Sequence, residues 1–344
     1  MNTLSFPGLG IGEFQVNKVA FTVFGQSVMW YGIIITFGIV LAFFYVLYRA
    51  KFEKIKVDDI LDLGIFIIIF GMLGARIYYV IMRWDTYSVT GGYFWDNLWD
   101  TLVNIMSFRK GGLAIYGALI AGFLTILAVA KVKKIKYQKF LDMVAPAAML
   151  GQIIGRWGNF VNVEAYGSQT DLPWRMGILT SSGSTMYVHP TFLYESLWNL
   201  AGFIIINIVY KKKKYDGQIF LMYMTWYGFG RMFIEALRTD SLMVGVFRVS
   251  QLVGFVTFAV GTILLIVFGI RARNEKIARG AYENLFLKEE EKPNIAEESE
   301  ENEEIRPILL SDDGVLQTKP SEPSSSEDNK NINEGEDGTD GETH

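Results

Sequence analysis

The 344-residue chain is 51% hydrophobic and 15% aromatic, with a mean hydropathy of +0.24. Its repeated apolar runs of about 20 residues, the length that crosses a bilayer, exclude a soluble globular protein. It has no cysteine and only two histidines, His189 and His344, which excludes disulfides, thiolate metal sites and a cysteine nucleophile and leaves no histidine cluster for a metal. The net charge of −4 hides a split, because residues 289–344 carry 19 acidic and 4 basic side chains and the rest of the chain is net basic.

Taken in order, residues 1–27 read as an outer interfacial segment with room for a short hairpin. Seven spanning helices are expected at about Val28–Tyr48, Ile60–Met82, Leu113–Val132, Phe140–Arg156, Thr191–Tyr210, Gly217–Leu237 and Ser250–Ile270. Lysine- and arginine-rich clusters follow the first, third, fifth and seventh of these, for example Lys211 to Lys214. The positive-inside rule then places the N-terminus outside and the C-terminus in the cytoplasm. The fold expected is an all-α integral membrane protein: a seven-helix domain over 28–280 followed by a tail over 281–344. The tail's acidic runs lack the apolar residues that offset ordering entropy, so it reads as disordered.

One stretch carries most of the polar chemistry: Gly155-Arg-Trp-Gly-Asn-Phe-Val-Asn-Val-Glu-Ala-Tyr-Gly-Ser-Gln-Thr170. It follows directly on an apolar run and holds Arg156, Asn159, Asn162 and Glu164. A charge near the bilayer core costs on the order of 2.5–3.5 kcal/mol on insertion scales, so such residues face a cavity or a partner. A single arginine there would read as a helix end reaching for the interface; the group of four reads as a site for something polar. Gly155 and Gly158 admit a close neighbour.

The sixth helix places Tyr227, Arg231, Glu235 and Arg238 on one face. That face reads either as an internal ion ladder or as a phosphate or carboxylate clamp, a task suited to arginine's planar fork. Tyr31, in Met29-Trp-Tyr-Gly32, and Tyr116, in Gly111-Gly-Leu-Ala-Ile-Tyr-Gly117, read as interface aromatics or as lining of the site. His189-Pro-Thr-Phe-Leu-Tyr-Glu195 opens the fifth helix and puts Glu195 one turn into the membrane, where a carboxylate needs a partner. Arg109 and Lys110 add cations on the outer side. Arg76 and Asp142, further charges inside helices, read as structural and free to pair.

These residues together resemble the signature of the prolipoprotein diacylglyceryl transferases. The resemblance covers about residues 1–275, with Trp30-Tyr-Gly32, the Gly-Gly-Leu-Ala-Ile-Tyr-Gly segment, His189-Pro, Tyr194-Glu195, Tyr227, Arg231, Glu235 and Ser250-Gln251 in the family's order. It implies a multi-pass enzyme of the bacterial plasma membrane, without cofactor or metal. Such an enzyme moves the diacylglyceryl group of phosphatidylglycerol to the lipobox cysteine thiol of a preprolipoprotein signal peptide and releases glycerol phosphate. Its partners are that peptide and membrane lipids, and no nucleic acid. Arg156 and Arg231 fall on the family's phosphate-handling arginines, with Asn159, Glu164, Tyr31, Tyr227 and Glu235 on other positions tied to activity. Many members carry histidine where Tyr116 stands, so a universal histidine base does not carry over. A thiol of pKa near 8.5 is activated beside cations, and an unpaired carboxylate, Glu235 or Glu164, is then the expected proton acceptor, with Tyr116 an orienting donor. Arg238, His189 and Glu195 complete the expected binding set. Two rival classes stay open: an anion transporter lined by the arginine faces, and a noncatalytic scaffold recruiting partners through its acidic tail.

Overall fold

The computed structural model describes residues 2–88, 93–107 and 111–290, apart from the side chains of Phe94 and residues 283–290. Arg109, Lys110 and the acidic tail beyond 290 therefore lie outside the described residues. The chain forms one unit through Gly280 and a second from Ala281.

Before the first helix come four strands: β1 (Asn2–Phe6), β2 (Ile11–Val16), β3 (Val19–Val23) and β4 (Gln26–Met29). Helices α1 (Trp30–Glu53) and α2 (Val57–Met82) follow, then the shorter α3 (Trp84–Tyr87) and α4 (Phe94–Met106). Next come α5 (Ile115–Lys133) and α6 (Tyr137–Asn162), the hairpin β5 (Met176–Leu179) and β6 (Thr185–Val188), and α7 (Thr191–Tyr210). The described chain ends with α8 (Gln218–Leu237), a small hairpin of β7 (Met243–Val244) and β8 (Phe247–Arg248), and α9 (Val249–Glu290). A long helix stands at each of the seven expected places, and the remainder corrects the expectation of an all-α fold. β2, β1, β5 and β6 form a four-stranded antiparallel sheet in that order. It pairs Leu4 with Ile178 across most of the chain, a non-local ladder that no local pattern in residues 1–27 announces. Leu4, Phe6, Met176, Ile178, Val188 and Phe192 make its buried core. The segment holding α3 and α4, expected as loop, is largely helical.

Five helices (α1, α2, α5, α7 and the first part of α9) are long and apolar enough to cross a membrane. This is an integral membrane protein, and its helices expose large apolar side chains such as Ile68, Phe70, Ile77 and Ile263. The two other long helices, α6 and α8, each bury a carboxylate, Asp142 and Glu235. Lipid is as apolar as leucine, so close packing and polar contacts drive helix association inside it. The α2–α5 crossing shows this: a Cβ on Gly74 would lie 2.7 Å from the Gly117 carbonyl oxygen, and one on Gly117 would overlap the Gly74 carbonyl. The α7–α8 pair is fixed by Trp198 and Trp226, stacked with centroids 4.4 Å apart. Each indole N–H donates to the other's backbone carbonyl, at 3.0 and 2.8 Å.

Arg76 and Asp142 do not pair with each other. Arg76 donates to the carbonyls of Asn104, Ile105, Ser107, Gly111 and Gly112, at 2.5–3.2 Å, and so ties the end of α4 to the approach of α5. Asp142 is fully buried. It accepts from Lys213 at 2.9 Å and from the backbone N–H groups of Gly217 and Phe220 at 2.9 and 3.1 Å. Lys213 also reaches Glu53 at 2.7 Å, so this lysine is bound within the fold and is no free member of a basic surface cluster.

Candidate active site

The apolar run expected to end at Arg156 continues as α6 through Asn162, so half of the polar stretch is helical and Arg156 and Asn159 stand one turn apart. The helix closes at Val163, with φ 52°, and Ala165 follows at φ 58°. Positive φ in a β-branched residue is a strained conformation, and such strain concentrates at functional sites. Here it turns the chain back so that Glu164 accepts from Asn159 at 2.8 Å and Asn162 at 3.3 Å.

At the centre, alternating charges from three helices meet. Glu195, one turn into α7 and 3% exposed, gives one carboxylate oxygen to Arg156 at 2.5 Å and the other to Arg231 at 2.9 Å. Arg231 reaches on to Glu235 at 2.6 Å; this contact lies off the hydrogen-bonding direction, since Glu235 Oε2 accepts no hydrogen bond among the described residues. Arg156 also donates to Asn159 Oδ1 at 3.1 Å. Register is set nearby: Ser196 donates to the Ile153 carbonyl at 3.0 Å, and the Trp198–Trp226 pair holds α7 against α8.

Arg156, Asn159, Glu164, Glu195, Arg231 and Glu235 thus form one connected network. Tyr31 borders it: a Cβ on Gly158 would come within 2.9 Å of its ring. Tyr227 lies one turn from Arg231 and stacks on Tyr223 at 5.7 Å. Tyr116 pairs its hydroxyl with Ser250 Oγ on α9 at 3.1 Å, and no hydrogen bond joins it to either arginine among the described residues.

Two expected members stand apart. Helix α8 ends at Leu237, so Arg238 leaves the shared face. It makes a two-pronged pair with Asp240 at 3.0 and 2.9 Å and stays 3.9 Å from Glu235. Burial raises the Asp240 carboxyl, and Arg238 more than reverses this, leaving it below the usual carboxylate range. His189 meets Tyr194 at 3.2 Å through Nδ1, and burial lowers its pKa. Its backbone makes the wider contacts: its N–H donates to Ser168 O and its carbonyl accepts from Gly167 N–H, while Ser168 N–H donates to Leu237 O. These bonds stitch the second half of the polar stretch between the sheet and the end of α8. Arg248, whose role the sequence did not reveal, donates to the carbonyls of Glu235 and Ala236 at 2.5 and 2.6 Å and closes that helix end.

Neither carboxylate named as proton acceptor is unpaired: Glu235 sits against Arg231, and Glu164 takes two amide hydrogens. Each guanidinium has five N–H donors, and the contacts described here for Arg156 and Arg231 engage two apiece. The remaining donors suit an anion with several oxygens. No group of three or more metal-ligating side chains occurs among the described residues.

Helices of this length and polarity around two part-buried arginines define a membrane protein with a polar, charged layer inside its bundle. Comparison then gives the family: residues 18–267 match the model of the prolipoprotein diacylglyceryl transferases, and the chain belongs to that family. A phosphatidylglycerol–prolipoprotein diacylglyceryl transferase of Finegoldia magna is 46% identical over 254 residues, covering 74% of this chain and 96% of the relative. Proteins of the same name from Clostridioides difficile and Listeria innocua are each 42% identical, covering 75% and 76% of this chain and 98% and 90% of theirs.

Proposed function

We propose that the Arg156–Glu195–Arg231 layer is the reaction centre at which this chain carries out its family's transfer from phosphatidylglycerol to a prolipoprotein. The observation that carries the reading is Glu195, whose two oxygens hold two arginines side by side. Their remaining donors suit the oxygens of a phosphodiester. The lipobox cysteine thiolate attacks the glycerol carbon, an S–C bond forms, and the C–O bond to phosphate breaks. Glycerol phosphate leaves with the electron pair. Arg156 and Arg231 stabilise the charge that grows on the phosphate oxygens, and the same field favours thiolate over thiol.

The thiol proton goes to a carboxylate at the edge of the network. Glu164 is the more exposed candidate, and Glu235 is held by Arg231. Asn159 orients Arg156 and Glu164 together. Tyr31 and Tyr227 line the approach, and Tyr116 acts as a hydrogen-bond donor through the Ser250 pair. His189 and Arg238 support the site through backbone and ion-pair contacts. The reaction uses no metal or cofactor.

All seven long helices span the bacterial plasma membrane in this reading. The N-terminus lies outside and the C-terminus in the cytoplasm, because the basic clusters follow alternate helices. The arginine layer then opens near the outer leaflet, where signal peptides emerge.

The test is purified protein given phosphatidylglycerol and a lipobox peptide, with glycerol phosphate release as readout. Release is expected to need the peptide's cysteine, to vanish in Arg156→Ala and to fall in Tyr116→Phe. Full activity in Arg156→Ala removes the phosphate role. No release by well-folded wild type favours an anion transporter.

A further inference from the structure

One to two helical turns toward the middle of the bundle, beneath the arginine layer, lies a second set of polar side chains. Gln152 is four residues before Arg156 on α6, Asn199 four after Glu195 on α7, and Tyr223 eight before Arg231 on α8. The step is about 6 Å on α6 and α7 and about 12 Å on α8. Gln152 donates to the Tyr223 hydroxyl at 2.9 Å. Asn199 is 0% exposed, and neither of its amide atoms has a hydrogen-bond partner among the described residues; Gln152 Oε1 is also unpaired. Leaving a buried amide unpaired costs on the order of 1–3 kcal/mol, and apolar side chains of equal size would avoid that cost. The Tyr223 proton likewise has no acceptor among the hydrogen bonds of the described residues.

We propose that Asn199 and Tyr223, with Gln152 behind them, are the subsite for the ester carbonyls of the diacylglyceryl group. The proposal rests on the reading that Arg156 and Arg231 hold the lipid phosphate. With the phosphate in that layer, the glycerol esters, a few bonds away, lie deeper along the same helices. Ester oxygens accept hydrogen bonds and donate none. Donors are what the Asn199 amide and the Tyr223 phenol bring. The layer thereby distinguishes an ester-linked lipid from an ether-linked one with the same headgroup. Asn199 and Tyr223 act here as specificity residues.

The test compares kcat/KM of the purified enzyme for diester and diether phosphatidylglycerol with one lipobox peptide. Wild type is expected to favour the diester about tenfold, the worth of one good hydrogen bond. Asn199→Leu, which removes an unpaired buried amide and keeps the volume, and Tyr223→Phe should each bring the ratio of the two lipids toward one. Thermal stability should hold or rise in Asn199→Leu. Equal use of both lipids by wild type, or variants that lower both in proportion, overturns the subsite and leaves the transferase reading standing. Transfer from neither lipid overturns both.

Discussion

The bundle holds two buried ion clusters, at opposite ends of α6 and about 21 Å apart along it, and they are built for different ends. In the one around Asp142, Lys213 bridges Glu53 and Asp142. Two backbone N–H groups and the Tyr210 hydroxyl complete the carboxylates, and Arg49 lies 4.0 Å over the Tyr210 ring. Glu53, Asp142 and Arg49 are at most 6% exposed, and the Lys213 side chain keeps 16%. In the one around Glu195, the arginine side chains keep a similar 18% and 13%, but Glu235 Oε2 accepts no hydrogen bond and guanidinium donors are left over among the described residues. Buried charge satisfied by its own chain is a staple; buried charge left partly unsatisfied is a site.

The largest effect should come from breaking the staple. Asp142→Ala leaves two N–H groups without their acceptor and takes one carboxylate from Lys213, and removing one partner of a buried pair costs about 3–5 kcal/mol. Denaturation in detergent is expected to show that loss while transfer per folded molecule stays near wild type. A variant that is fully stable, or folded yet inactive, would erase the distinction between the clusters. Glu195→Gln sharpens it from the other side. It keeps shape but removes the charge that aligns two arginines, and misplacing such groups by about an ångström costs on the order of 100-fold in rate. We expect kcat to fall by about that factor with a small change in KM; unchanged kcat would make Glu195 a bystander.

The smallest effect belongs to His189, outside both clusters. Burial holds its pKa below the ordinary value, so below about pH 6.5 the unfolded chain binds more protons than the folded one. The stability contribution is intact above that pH and declines as pH falls from the unfolded value toward the folded one. His189→Gln should flatten the decline when melting temperatures at pH 7.5 and 5.5 are compared. An identical slope in the variant would assign the pH dependence to another group.

The long helices were legible because apolar runs leave few alternatives, and Arg156, Arg231 and Glu195 stood out because charges in such runs must be accounted for. Other features were hidden for physical reasons. β1 finds its partner strand far away in the chain, so its pairing has no local sign. Gly155 and Gly158 do admit close neighbours, Ile35 and Tyr31, but the helix end expected at about Arg156 comes only after Asn162, because the polar residues there do not break the helix. Lys213 reads like its lysine neighbours until Asp142 and Glu53 surround it. Arg76 binds carbonyls, which every residue has. Asn199 looked like a helix residue among apolar ones; its fourfold spacing from Glu195 was the signal to follow.

The α2–α5 crossing has a consequence for what sequence change the enzyme tolerates. Gly117 adjoins Tyr116, and its hydrogen atom is all that separates α5 from the α2 backbone at Gly74. One methyl group at either position would act as a shim, pushing α5 outward and carrying the Tyr116 phenol away from Ser250. The Tyr116–Ser250 distance is thus gauged by two missing carbons, and mutational drift can widen it without touching a charged residue.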